Sequence, residues 1–133
     1  MELSFIVIDD SELDCFIARK IIRHTNEHLS INTFQDAQLA LETIQAGIAH
    51  AAGSKTIVLL DLQMPLMNGF QFVEEFEKLP PETQKKYMVV ILSSTRNTND
   101  IHRILTYPAV NDILEKPLTR EKLSSLMAKA QSR

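Results

Sequence analysis

Short apolar runs alternate along this chain with longer segments of helical periodicity. Five apolar runs predict β-strands, and each is followed by a segment in which apolar residues recur every three or four positions. The predicted strands are 3–8, 29–34, 56–60, 88–92 and 111–115. The predicted helices are 11–26, 36–51, 68–79, 97–107 and 118–132, with breaks at Gly53-Ser54, Pro80-Pro81 and Pro108.

This βα alternation predicts an α/β fold in which one parallel, doubly wound sheet carries helices on both faces. The runs Ile57-Val58-Leu59-Leu60 and Val89-Val90-Ile91-Leu92 lack polar alternation. We therefore expect them in the middle of the sheet, where both faces of a strand are covered. Five βα units use all 133 residues, so we expect one domain over 1–133 and no output domain.

Composition argues against several classes of function. The net charge of −3 and the pI near 5.8 give no basic excess of the kind that a nucleic-acid surface shows. The apolar runs are shorter than the ~18 residues of a membrane span, and the first residues lack the basic segment of a signal peptide. The single cysteine, Cys15, is expected to be buried and unreactive. We expect a cytoplasmic protein without nucleic-acid binding or membrane insertion.

Polar residues stand where four of the five predicted strands end. Asp9 and Asp10 follow the first strand, Asp61 the third, Ser93 the fourth and Lys116 the fifth. Doubly wound sheets bind ligands at the carboxyl ends of their strands, where the strand order reverses. We therefore expect these side chains to converge in one cleft.

Three converging carboxylates repel one another and require a counter-charge. Lys116 supplies one positive charge, and Mg²⁺, which prefers oxygen ligands and often works beside phosphate, supplies two. An aspartate nucleophile can form an acyl phosphate, whose oxygens a cation, Lys116 and the Ser93 hydroxyl could contact. One acidic residue at a strand end is usually a helix cap, but that does not explain the whole set. The set predicts a phosphoryl-transfer site with Asp61 as its nucleophile.

These residues resemble the pattern of receiver domains in two-component signalling. The resemblance covers nearly the whole chain. The matching segments are Asp9-Asp10, Asp61-Leu62-Gln63-Met64-Pro65-Leu66-Met67-Asn68-Gly69, Ser93-Ser94 and Lys116-Pro117. The resemblance implies the flavodoxin-like (βα)5 fold, with Asp61 as the phosphoacceptor and Mg²⁺ or Mn²⁺ as the cofactor.

The resemblance also assigns roles to the other residues. The metal ligands would be Asp9 (directly or through water), Asp10, Asp61 and the backbone carbonyl of Gln63. Ser93 would be the switch hydroxyl that turns toward the phosphoryl group, and Lys116 would contact phosphate. The Lys116-Pro117 peptide bond is usually cis in that family, a form that X-Pro bonds adopt at low cost.

The implied function is that of a single-domain response regulator, a switch protein rather than an enzyme. It would accept a phosphoryl group from a sensor histidine kinase or a histidine phosphotransfer protein and signal by altered binding to a downstream protein. At most it would catalyse its own phosphorylation and dephosphorylation at Asp61. The resemblance leaves open the cognate kinase, the target, relay against terminal output, the phosphoryl lifetime and the oligomeric state.

The chain departs from the family pattern at the switch. Ile113 stands where many members have an aromatic residue, three positions before Lys116, and Tyr107 is no direct replacement. Either Ser93 or Ser94 could be the switch hydroxyl, and we favour Ser93 because it directly follows the apolar strand. We expect phosphorylation to change the surface formed by residues 97–127.

Two other functions fit the sequence less well. Phosphohydrolases of the haloacid-dehalogenase class usually carry a general acid two residues after the nucleophile, where this chain has Gln63. A nucleotide-binding flavodoxin-like module would need a glycine-rich phosphate loop, but no G-x-G-x-x-G or P-loop motif occurs. His24 and His28 are spaced for a metal on a helix, although we expect them to lie on a solvated face.

Overall fold

The computed structural model describes residues 2–47, 54–94 and 96–132. Its strands are β1 (Glu2–Ile8), β2 (Ser30–Phe34), β3 (Ser54–Leu60), β4 (Tyr87–Ser93) and β5 (Val110–Glu115). Its helices are α1 (Glu12–Thr25), α2 (Ala37–Gln45), α3 (Gly69–Phe76), α4 (Pro81–Gln84), α5 (Thr98–Leu105) and α6 (Arg120–Gln131). All five predicted strands are present within two residues of their expected bounds.

The five strands form one parallel sheet in the order β2-β1-β3-β4-β5. The chain therefore runs from β1 outward to one edge, returns to the other side of β1, and continues to the opposite edge. Strand order reverses between β1 and β3, where Ile8 pairs with Leu60 at the carboxyl ends. Sheets of this kind bind ligands in the crevice beyond the carboxyl ends of the two strands at such a reversal.

The sheet separates two apolar cores, because successive side chains of a strand point to opposite faces. In β1, Phe5 and Val7 pack with α1 and α6, whereas Ile6 and Ile8 pack with α2, α3 and α5. Central strands need apolar residues at every position to fill both cores, and every residue of β4 is buried. The prediction of a doubly wound parallel sheet with helices on both faces is confirmed.

Short polar side chains start the helices close to the strand ends. The capping side chains are Ser11 for α1, Asp36 for α2, Asn68 for α3, Asn97 for α5 and Thr119 for α6. Ser11 caps α1 by accepting a hydrogen bond from the backbone N–H of Asp14. Each cap satisfies backbone N–H groups that the first helical turn leaves without partners.

The structure differs from the sequence-based expectation at Pro80-Pro81. We expected these prolines only to end a helix, but Pro81 also begins the short helix α4. Proline is favoured at the first helical position because it needs no hydrogen-bond partner for its nitrogen and its φ is already helical.

Helix α2 also ends earlier than predicted, at Gln45 rather than near Ala51. It stops there because Ala46 is its C-cap and Gly47 has a left-handed backbone (φ 72°) that a helix cannot continue. Ala51 itself and the predicted break at Gly53 lie outside the described residues. Within the described ranges, no helix is both long and apolar enough to cross a bilayer.

Candidate functional site

Three aspartates form a cluster at the reversal of strand order. Asp9 follows β1 directly, Asp10 is next in the chain, and Asp61 follows β3. One carboxylate oxygen from each lies within 4.8 Å of the others. Asp9 and Asp61 are buried and Asp10 is exposed, so the cluster is open to solvent on one side. Its all-oxygen donor set is the kind that Mg²⁺ or Mn²⁺ prefers.

Asp61 is held by the sheet rather than by a flexible loop. Its backbone N–H donates to the carbonyl of Ile8 at 2.9 Å, and the residue is only 6% exposed. The pKa of Asp61 is raised from 3.8 to about 6, chiefly by burial and then by the negative charge of Asp9, while Lys116 and a backbone hydrogen bond from Gln63 oppose the rise. An ionised carboxylate that is buried beside another negative charge binds a cation more readily than one whose charge is already balanced by a positive group.

Lys116 supplies the positive charge in the cleft. Its Nζ donates to Asp9 Oδ2 and to Asp14 Oδ2, each at 2.8 Å, and lies 3.6 Å from Asp61 Oδ1. Burial would lower the pKa of Lys116, but the hydrogen bonds to Asp14 and Asp9 outweigh burial and raise it. The lysine therefore remains an ammonium group facing Asp61. The peptide bond between Lys116 and Pro117 is cis, as the family resemblance implies.

Ser93 and Ser94 differ in burial. Ser93 ends β4 and is 2% exposed, whereas Ser94 is exposed. The carbonyl of Ser93 accepts a hydrogen bond from the backbone of Lys116 at 2.9 Å, which ties the end of β4 to the lysine. Ile113 is half-buried and lines a recess of about 170 Å³ beside Ser93 and Ile101. The burial of Ser93 favours it over Ser94 for any contact within the cleft.

The loop from β3 to α3 is shaped by two residues with unusual surroundings. Leu66 has a left-handed backbone (φ 68°) and is 96% exposed, a conformation that costs a branched residue energy. Gly69 begins α3 so close to β3 that a Cβ there would lie 2.9 Å from the carbonyl oxygen of Asp61. Gln63, predicted to offer its carbonyl to a metal, lies in the same loop with an exposed side chain.

Two features of the structure were not identified from the sequence. Asp14 contacts Lys116, although an acidic residue in the first turn of a helix looks like a favourable partner of the helix dipole and nothing more. Tyr107 donates a hydrogen bond to Glu74 of α3, and Arg103 of α5 lies over the ring of Phe70 at 4.1 Å. This second set links α3 to the end of α5. No local sequence pattern predicts these contacts, because the partners in each lie far apart in the sequence.

The other candidate groups have ordinary surroundings. Cys15 is buried, and burial raises its pKa to about 11, so the expectation of a buried thiol with little reactivity is supported. His24 and His28 are both exposed, and His28 lies beyond the end of α1. Lys85 and Lys86 are exposed.

The fold and the cluster together define a class: doubly wound α/β domains with an acidic site and a lysine at the carboxyl edge of the sheet. The family model of the response regulator receiver domain matches residues 5–128 of the sequence. A receiver protein from Dyadobacter fermentans is 32% identical and covers 97% of this chain and 98% of its own, with a TM-score of 0.84. The chain belongs to the response regulator receiver domain family.

Related domains occur in two kinds of protein. A two-component response regulator of Oryza sativa subsp. japonica is 25% identical over 124 residues, which are 93% of this chain and 91% of that protein. A hybrid signal transduction histidine kinase of Dictyostelium discoideum is 24% identical over 93% of this chain, but the match spans only 5% of the kinase. Domains similar to this chain are thus found both in response regulators and within histidine kinases.

Proposed function

We propose that the protein is a phosphorylation-controlled switch in which Asp61 accepts a phosphoryl group. The observation that carries this proposal is the meeting of three carboxylates and one ammonium group at the carboxyl ends of β1, β3 and β5. Within that set, the charges of Asp9 and Lys116 both act on Asp61, and Lys116 Nζ lies 3.6 Å from Asp61 Oδ1. The family to which the chain belongs is one of switch proteins in two-component systems.

In the proposed step, an oxygen of Asp61 attacks the phosphorus of the donor. A new bond forms between that oxygen and phosphorus, and the bond between phosphorus and the donor breaks. With phosphohistidine the electron pair of the P–N bond returns to the imidazole, which takes up a proton; with acetyl phosphate, acetate leaves. Lys116 contacts an oxygen of the transferred group, and its positive charge stabilises the negative charge of the transition state.

Asp9, Asp10, Asp61 and the carbonyl of Gln63 are proposed to hold a divalent cation, Mg²⁺ or Mn²⁺. The chemistry of the donors supports this, since three carboxylates within reach of one point are matched by a single lysine. When bound, the cation would supply positive charge beside the oxygens of the phosphoryl group. The chain's own contribution is to hold the acceptor oxygen of Asp61 on a rigid strand end.

Ser93 is proposed as the switch hydroxyl and the surface of α5, β5 and α6 as the output. The carbonyl of Ser93 accepts a hydrogen bond from the backbone of Lys116, and Ser93 also lines the recess that contains Ile101 and Ile113. A phosphoryl group adds charge and strong acceptor oxygens, so movement of Ser93 toward it would alter the packing of this recess. The phosphoryl donor would be a sensor histidine kinase or a histidine phosphotransfer protein, and the output a changed affinity for a downstream protein.

The test is incubation with Mg²⁺ and either acetyl phosphate or phosphoramidate, whose P–N bond resembles that of phosphohistidine, followed by intact mass measurement. The wild-type chain should gain one phosphoryl group. Asp61→Asn should abolish the gain, because an amide oxygen is a poor nucleophile. Asp36→Asn, the same replacement at the exposed cap of α2, is the matched control and should be labelled like the wild type. Equal labelling of Asp61→Asn would refute the proposal.

A further inference from the structure

Lys116 is bound more closely to Asp14 than to the proposed phosphoacceptor. Its Nζ lies 2.8 Å from Asp14 Oδ2 and 2.8 Å from Asp9 Oδ2, but 3.6 Å from Asp61 Oδ1. The first two contacts are good hydrogen bonds, and the third is longer than a hydrogen bond. The ammonium group is therefore drawn toward the α1 side of the cleft.

Asp14 is held rigidly in that place. It lies in the first turn of α1, and its backbone N–H donates to Ser11 Oγ at 3.2 Å. The backbone of Ser11 in turn donates to Asp9 Oδ1 at 2.9 Å, so the same turn orients both carboxylates that bind the lysine. Asp14 is absent from the three-aspartate cluster that suits a metal. It therefore contacts Lys116 without being one of the proposed metal ligands.

The backbone around Lys116 is also fixed. Lys122 Nζ donates to the carbonyl of Glu115 at 2.6 Å and to that of Pro117 at 3.1 Å. These two residues flank Lys116, so the ammonium group can approach Asp61 only by rotation of the lysine side chain. Such a rotation lengthens or breaks the hydrogen bond to Asp14.

We propose that Asp14 is a positioning residue that holds Lys116 away from Asp61 and competes with the phosphoryl group for its ammonium. This inference rests on the proposed phosphoacceptor function of Asp61. Asp14 acts in the same direction through its charge, since a carboxylate near the cleft repels an incoming anion. The side chain of Asp14 is 37% exposed, so solvent screens both effects. We expect its removal to favour anion binding by about two- to fivefold, the range for a partly exposed ion pair.

The test compares Asp14→Asn with Glu12→Gln. Both changes remove one negative charge from the first turn of α1, but Glu12 is exposed and the ion pairs of Lys116 among the described residues are with Asp9, Asp14 and Asp61. The probe is beryllofluoride, titrated in the presence of Mg²⁺ and followed by ¹⁹F NMR. Asp14→Asn should lower the half-saturating concentration about two- to fivefold, while Glu12→Gln should change it little.

Three further measurements separate positioning from a structural effect. Asp14→Glu, which keeps a carboxylate within reach of the lysine, should restore wild-type binding. In a Lys116→Ala background, Asp14→Asn should improve beryllofluoride binding less than it does in the wild type, because only the repulsion between Asp14 and the anion remains to be removed. The ¹⁵Nζ resonance of Lys116, measured without Mg²⁺ or any phosphoryl mimic, should shift in Asp14→Asn and stay in place in Glu12→Gln.

The outcomes distinguish this inference from the proposed function. If the wild type binds beryllofluoride and Asp14→Asn binds it no better than Glu12→Gln, Asp14 does not compete and the inference is wrong. Weaker binding by Asp14→Asn would also overturn it, since the residue would then help Lys116 to reach the anion. If the wild type neither binds beryllofluoride nor is labelled, the proposed function fails. The Lys116 resonance still decides whether Asp14 holds the lysine.

Discussion

Replacement of Gly69 by alanine should destabilise the protein and displace the proposed nucleophile together. The added Cβ would lie 2.9 Å from the carbonyl oxygen of Asp61, 2.9 Å from Leu62 Cα and 3.0 Å from Leu62 Cδ2. Two of these three atoms belong to the backbone at the end of β3, and that backbone is hydrogen-bonded to β1. It cannot rotate away as a side chain can, so α3 or the strand end must shift.

The magnitude follows from the kind of contact. Overpacking of a core costs about 1–3 kcal/mol, and we expect about 3 kcal/mol here because the neighbours are mostly backbone. The control is Gly47→Ala. Gly47 has a left-handed backbone (φ 72°), and an added Cβ would meet no atom within 4 Å, so alanine there carries only the conformational cost of roughly 1–2 kcal/mol. One glycine is thus required for space and the other for backbone conformation.

The assay is equilibrium unfolding in urea for the wild type and both variants. Gly69→Ala should lose more free energy of unfolding than Gly47→Ala. It should also accept a phosphoryl group from acetyl phosphate more slowly under conditions where it is folded, while Gly47→Ala should be labelled like the wild type. A loss at Gly69 equal to or smaller than that at Gly47 would show that α3 moves away from β3 at little cost, and the steric reasoning would be refuted.

Three further predictions concern the cleft. Without divalent metal, Asp61→Asn should raise the free energy of unfolding at about pH 7.5, because the folded-state pKa of Asp61 is about 6 against an ordinary 3.8. The difference corresponds to at most about 3 kcal/mol. Because the folded-state pKa is raised, folding disfavours the ionised form of Asp61, and the carboxylate lowers the free energy of unfolding at high pH. Near pH 4 Asp61 is protonated in the folded state, so the gain from Asp61→Asn should vanish there. Urea unfolding at both pH values is the measurement. Millimolar Mg²⁺ should raise the melting temperature, and Asp10→Ala should remove most of that rise; no rise for the wild type would count against the metal site. Ser93→Ala should leave labelling of Asp61 largely intact but weaken the NMR shifts that beryllofluoride causes in residues 97–127; shifts confined to the cleft in the wild type would rule out the proposed output surface.

The sequence alone determined the architecture because the information is local. The two apolar runs of β3 and β4 can be buried only in a covered sheet, and the periodicity of each intervening segment indicates a helix. Asp61 and the Asp9-Asp10 pair directly follow two of the apolar runs, so they could be placed at strand ends from the sequence. Since parallel strands align their carboxyl ends at one edge, the convergence of these aspartates followed from the topology.

The fine boundaries were less predictable. Pro80-Pro81 indicated the end of a helix but not the start of α4, because the same residue type is favoured at both places. The choice between Ser93 and Ser94 likewise rested on where the apolar run stops. Only burial in the folded sheet separates them, with Ser93 2% exposed.

The position of Lys116 within the cleft was decided by tertiary structure alone. From the sequence, Lys116 was a counter-charge for Asp61, and Asp14 was an ordinary acid in the first turn of a helix. Their contact at 2.8 Å joins residues 102 positions apart, and it depends on how α1 packs beside the end of β5. A local pattern reports which groups face an edge of the sheet. Which carboxylate an ammonium group binds there depends on distances of an ångström, and these are set by the packing of the whole domain.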